Sequence, residues 1–169
     1  AKTDERDAAV IARTALGVPD SLSGVPGRGE ALEAARALSS QRDHVVACAT
    51  RDKNRLRAVL LESCPALEAA VDLSDRRWLE LPAGFGGAWG IARSGAGGPR
   101  AEAAGEAAAA STAPPPALVE AENRQVRFLA ARISEALDEA GALEAETAAL
   151  LEGDETYACL LTVPGIGPR

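Results

Sequence analysis

Residues 117–151 read ALVEAENRQVRFLAARISEALDEAGALEAETAALL. Within them Val126, Leu129, Ile133, Ala136, Ala140, Leu143, Thr147 and Leu150 recur in alternating steps of three and four. That spacing sets them on one face of an α-helix, as a heptad seam running through roughly three heptads or more. Gly141 lies off the seam, so its cost of about 1 kcal/mol relative to Ala does not by itself break the helix. A seam of this length needs a partner. From about Arg28 to Ser63 there is no Pro or Gly after Gly29, and Leu38, Val45, Ala49, Leu56 and Val59 or Leu60 repeat at similar steps, interrupted by Arg42 and Asp52. This predicts a second helix of roughly 35 residues, about 50 Å long. Antiparallel pairing of the two within one chain and pairing of identical helices between two chains both satisfy the seam, and the spacing does not choose between them.

The other elements follow from punctuation. A first helix is expected from about Asp4 to Leu16, with Ala8, Ile11, Ala12 and Ala15 on one stripe and Gly17 and Pro19 as its stop. Residues 18–27 read as a loop. Pro65 ends the long second helix, and a short helical piece follows over Ala66 to Val71. Trp78, Leu79, Leu81, Phe85, Trp89 and Ile91 suggest a small apolar cluster on short helices. Residues 94–116, alanine-rich between Gly95–Gly98 and Pro114–Pro116, read as a low-complexity linker with at most one weak helix. A last short helix over Thr156 to Leu161 leads into Pro164-Gly165-Ile166-Gly167-Pro168.

Composition agrees with a mostly α fold. Hydrophobic residues make up 47% but aromatics only 3%, which favours helices packed through small side chains over a sheet. No apolar run approaches the roughly 18 residues that span a bilayer, and no signal-peptide pattern opens the chain. We therefore expect a soluble cytoplasmic protein without a membrane partner. Cys48, Cys64 and Cys159 lack paired metal spacing and are expected as buried thiols of a reducing compartment, with His44 as a helix-surface residue that has no cysteine or carboxylate at ligand spacing. The net charge of −7 is unevenly spread. Residues 1–100 carry 14 Lys/Arg against 13 Asp/Glu, whereas residues 101–169 carry 4 against 12. The basic cluster Arg51, Lys53, Arg55 and Arg57 is a candidate for phosphate contact, or equally an ordinary solvated helix face.

Two places carry chemistry. In Lys2-Thr3-Asp4-Glu5-Arg6-Asp7-Ala8, Asp4 and Asp7 stand three residues apart, so a helix points both carboxylates to one side. Two such carboxylates are the minimum oxygen set for holding Mg²⁺ against a phosphate. The same residues also suit capping and the positive end of the helix dipole. In the last segment, Gly165 and Gly167 around one apolar residue allow a tight turn whose backbone N–H groups face a phosphate, as in helix-hairpin-helix DNA-binding modules. An ordinary interhelical turn accounts for them as well. No Met occurs, the chain begins inside a motif and Val163–Arg169 halts within a structural unit, so both ends are expected to be truncated.

The order of these segments is distinctive: Lys-Thr-Asp-x-x-Asp-Ala with Val10-Ile11-Ala12-Arg13, then a long helix with Asn54-Arg55-Leu56-Arg57, Leu60-Leu61 and Pro65-Ala66-Leu67-Glu68, then a second long helix, and finally Leu161-Thr162-Val163-Pro164-Gly165-Ile166-Gly167-Pro168. It resembles transposases of the insertion sequence 110 family, the DEDD type. The resemblance implies that residues 1–27 are the C-terminal end of a RuvC-like (ribonuclease H) catalytic domain. Residues 28–152 would be an antiparallel coiled-coil region and 153–169 the start of a helix-hairpin-helix-like transposase domain. It implies that Asp4 and Asp7 are the last two acids of an Asp-Glu-Asp-Asp site binding Mg²⁺. Lys2, Arg51, Lys53, Arg55, Arg57, Gly165 and Gly167 become candidate nucleic-acid contacts. The partners implied are DNA, a guide RNA encoded by the element and further copies in a homo-oligomer, with action at the bacterial nucleoid. The first Asp, the Glu and a serine nucleophile have no counterpart in the chain, so the polypeptide by itself is expected to be inactive. The alternative is a non-catalytic helical protein that dimerises through the 117–151 seam.

Overall fold

Two helices of 34 and 35 residues dominate the computed structural model, which describes residues 4–17 and 29–163. All regular structure among the described residues is helical. The chain divides into two compact units, Ala1–Glu30 and Ala31–Arg169.

The first unit contains α1 (Asp4–Gly17), whose first turn holds Asp4, Glu5 and Asp7. Acids there are stabilised by the positive end of the helix dipole. None of its residues is buried, and Val10, Ile11 and Leu16 are exposed.

The second unit holds α2 (Glu30–Ser63) from its second residue on, α3 (Pro65–Ala70), α4 (Arg76–Phe85), α5 (Ala88–Ser94), α6 (Pro99–Ala109), α7 (Pro116–Leu150) and α8 (Glu155–Leu161). Side chains fix α2 and α7 as antiparallel neighbours. Arg42 Nε donates to Glu144 Oε1 (2.8 Å), Arg132 Nε to Asp52 Oδ2 (3.0 Å) and Ser63 Oγ to Glu122 Oε1 (2.7 Å). Climbing α2 thus means descending α7 at the same pace. The seam is taken up inside one chain: Val126, Leu129 and Ile133 are buried, whereas Ala136 and Thr147 are half-buried and Leu150 is exposed.

The core lies at one end of this pair, where α3–α6 fold over the C-terminal half of α2 and the N-terminal half of α7. Leu56, Leu60, Leu67, Leu79, Ile91 and Ile133 are its largest fully buried aliphatics, each worth about 1.5–3 kcal/mol of burial. Trp78, Leu81 and Trp89 pack against them, while Phe85 stays exposed. At the other end the buried residues are sparse and mostly small: Ala35 and Ala49 on α2, Ala140 and Leu143 on α7.

The short helices start and stop for local reasons. Pro65 occupies the first turn of α3, where its missing N–H costs nothing. Asp75 caps α4 by accepting from the Arg77 N–H (3.0 Å). Gly95, at φ +70°, ends α5 in the left-handed region.

Residues 94–116, expected as a linker, contain α6 and part of the core. Ala101, Ala104 and Ala107, spaced three apart, are buried on one side of α6, and Cys64 Sγ donates to the Ala107 carbonyl (3.6 Å). Alanine here signals close helix packing, which low complexity of composition conceals. Arg100 anchors the same helix: its Nη2 donates to Asp75 Oδ2 (2.6 Å) and its guanidinium lies 5.8 Å from the Trp78 ring centre.

Candidate functional site

Asp4 and Asp7 fall in the first turn of α1 and both are exposed. Their i, i+3 spacing on a helix sets the carboxylates on one side, as the sequence implies. Hard, exposed oxygen donors of this kind suit Mg²⁺ in chemistry. They are only two, however, and no group of three or more His, Cys, Asp or Glu among the described residues could hold a metal ion. Lys2, Gly165, Gly167 and the Pro164–Pro168 turn lie outside the described residues.

Arg51, Lys53, Arg55 and Arg57 all lie on α2 but do not form one face. At 100° per residue, Arg51 and Arg55 share one side, and Lys53 and Arg57 the other. Arg57 is paired with Glu68 of α3 (3.0 Å), and Arg51 Nη2 donates to Cys48 Sγ (3.0 Å). The cluster is therefore two separate pairs, one of them partly neutralised.

His44 is exposed on α2, as expected, but it has a neighbour one turn on: its Nε2 lies 3.6 Å from Cys48 Sγ. The i, i+4 spacing is the sequence signal for this contact, and it corrects the expectation that no cysteine stands at ligand spacing from His44. Of the three thiols only Cys64 is buried; Cys48 is half-buried and Cys159 exposed, so the expectation of buried thiols holds for one. Cys64 faces the apolar core, whereas the other two lie on helices with an open side.

The most unusual chemistry is a buried polar patch on α7 that the motifs do not announce. Glu122 and Asn123 are 7% and 2% exposed. Asn123 Oδ1 accepts from the Gly87 N–H (2.9 Å), and Glu122 Oε1 accepts from Ser63 Oγ (2.7 Å). Glu122 Oε2 is buried without a hydrogen-bond partner. Burial pushes the Glu122 carboxyl above the usual glutamate range, opposed by the Ser63 hydroxyl. The turn between α4 and α5 presses directly on these residues: a Cβ on Gly87 would stand 2.3 Å from Glu122 Oε1, and one on Gly86 2.6 Å from Asn123 Cβ. The readable signal was the stripe itself. Continued towards the N-terminus from Val126 in steps of four and three, it passes through Glu122 and then Val119, which places a carboxyl at a core position.

Residues 1–65 match the family model of the DEDD transposases of insertion sequence 110, described as a transposase. No curated protein and no solved structure matches the chain.

Proposed function

We propose that this chain, whose residues 1–65 match the family model of the insertion sequence 110 DEDD transposases, serves DNA transposition by metal-assisted phosphodiester chemistry. The family match over residues 1–65 is the observation that supports this reading, and with it a transposase-type function acting on DNA. The exposed Asp4 and Asp7 on one side of α1 supply its chemical part. In this reading residues 1–27 close a RuvC-like domain, 28–152 form the helical region and 153–169 open a C-terminal transposase domain.

Asp4 and Asp7 would hold Mg²⁺, which when bound supplies Lewis-acid polarisation of a phosphoryl oxygen. The two carboxylates orient together because one helix carries both at i, i+3 spacing. Two monodentate donors leave most of an octahedral shell to other oxygens, so the chain alone binds Mg²⁺ weakly and does not cleave DNA. A guide RNA and a homo-oligomeric assembly belong to the same proposal on family resemblance alone.

The test is Mn²⁺, a paramagnetic stand-in for Mg²⁺, titrated into the isotopically labelled chain. Broadening confined to amides of the first turns of α1, and lost in the Asp4→Asn/Asp7→Asn variant, is expected. Broadening that ignores those substitutions would remove both aspartates from the metal role. Mobility of the chain with duplex DNA as salt is raised tests the DNA part separately: retention that weakens with salt is expected, and no retention at low salt would overturn it.

A further inference from the structure

His44, Cys48 and Asp52 follow one another on α2 at steps of four, which stacks them along one side of the helix. His44 Nε2 and Cys48 Sγ stand 3.6 Å apart. Zinc binds a thiolate sulfur at about 2.3 Å and an imidazole nitrogen at about 2.0–2.1 Å, and at a tetrahedral angle these two bonds hold their donors about 3.5 Å apart. The separation present in the chain therefore matches the bite of one ion held by both side chains. His44 is exposed and Cys48 half-buried, and both line a cavity of about 480 Å³ between α2 and α7 whose walls also include Asp52, Arg132, Glu135 and Glu139. Around it these three carboxylates stand against the guanidinium groups of Arg132 and Arg51, so the balance of charge favours a cation. Arg51 Nη2 donates to Cys48 Sγ (3.0 Å). A metal-bound thiolate keeps lone pairs for such a bond, which makes Arg51 an outer partner of the sulfur.

We propose that His44 Nε2 and Cys48 Sγ together bind a borderline-soft divalent cation of the zinc class. On binding, the Cys48 thiol releases its proton to solvent, and the neutral His44 ring keeps its proton on Nδ1. No group of three or more His, Cys, Asp or Glu among the described residues could hold a metal ion, so water fills the remaining positions. The site is thus an open, exchangeable one, weaker than a closed set of four protein ligands. Sulfur and imidazole donors select against Mg²⁺, which prefers oxygen. The pair lies in the second unit, whereas Asp4 and Asp7 belong to the first, and it does not depend on the transposition reading.

The experiment is titration of the full, reduced chain with Co²⁺, a spectroscopic stand-in for Zn²⁺, read by the near-ultraviolet charge-transfer absorption of a thiolate–cobalt bond. A saturable band is expected that Zn²⁺ displaces and excess Mg²⁺ does not. Cys48→Ser removes the band, because no sulfur remains to give it. His44→Gln, at an exposed position, keeps the sulfur and weakens Co²⁺ binding about tenfold or more, so the proposal stays testable even where Cys48→Ser unfolds. Cys159→Ser, which removes the exposed thiol of α8, leaves the band as it was. Absence of a saturable band, a band that survives Cys48→Ser or vanishes in Cys159→Ser, or affinity indifferent to His44→Gln would each overturn it.

Discussion

The backbone N–H of Gly87 donates to Oδ1 of Asn123 across 2.9 Å, and this single bond fastens the turn between α4 and α5 to α7. The approach is close because Gly86, Gly87 and Gly90 present no side chain. Asn123→Ala leaves the Gly87 donor buried and unpaired, at a cost of about 1–3 kcal/mol. Gly90→Ala is expected to cost more. Its Cβ would stand 2.1 Å from the Phe85 carbonyl oxygen, which is backbone and cannot swing aside, whereas at Gly87 the nearest atom is the end of the Glu122 side chain. Urea denaturation of the two variants checks the order.

Carboxyls of opposite tendency give stability a pH optimum. Burial holds the Glu122 carboxyl above its ordinary value in the folded chain. The unfolded chain therefore loses that proton first as pH rises, so the contribution is full below the ordinary glutamate value and is lost as pH climbs through the folded value. Asp75 behaves inversely. The Arg100 guanidinium and the Arg77 N–H hold it below the usual aspartate range, so its contribution is present above that range and lost as pH falls through the folded value. Unfolding free energies from about pH 3 to pH 8 are expected to lose the upper-side decline in Glu122→Gln and part of the lower-side decline in Asp75→Asn.

These two carboxyls also show what the sequence discloses and what it conceals. The long helices were legible because α7 keeps strict steps of three and four and α2 runs from Glu30 to Ser63 without Pro or Gly, and their observed bounds, Glu30–Ser63 and Pro116–Leu150, differ from expectation by a residue or two. The helix that carries Asp4 and Asp7 in its first turn was legible from its own apolar stripe and its Gly17 stop. Pairing of the long helices within one chain was not, because it rests on contacts such as Arg42–Glu144 and Arg132–Asp52 between residues far apart in sequence. The packing of α6 was hidden by alanine, which reads as featureless although its small size is what allows close approach. The Glu122 patch was hidden because a polar residue at a stripe position resembles a stripe that has ended.

The pairing of α2 and α7 divides into weak and strong contributions. Arg132–Asp52 and Arg42–Glu144 involve partly exposed groups, and such pairs contribute about 0–1 kcal/mol each. Ile133 is fully buried, and Ile133→Ala opens a cavity costing about 2–5 kcal/mol. Arg132→Gln is therefore expected to shift the denaturation midpoint only slightly and Ile133→Ala severely. A comparable shift in both would mean that the ion pair, and not burial, holds the register.

Asp4 and Asp7 separate stability from function most cleanly. Both are exposed in the first turn of α1, where each acid contributes no more than about 0.3–1 kcal/mol through the helix dipole. A metal role makes a different demand, because the loss of either carboxylate removes half of the donors this helix supplies. Asp4→Asn and Asp7→Asn are thus expected to leave the cooperative unfolding of the second unit unchanged, since α1 belongs to the other unit. Each is expected to weaken Mn²⁺ binding at α1 by about tenfold or more, the loss of one charged ligand. The decisive comparison is Asp7→Asn against Glu5→Gln. Glu5 shares the first turn and its dipole but, two residues before Asp7, points to a different side of the helix. If metal binding falls equally in the two variants, the first turn attracts cations by net charge alone; if it falls only in Asp7→Asn, the geometry of the pair is what binds.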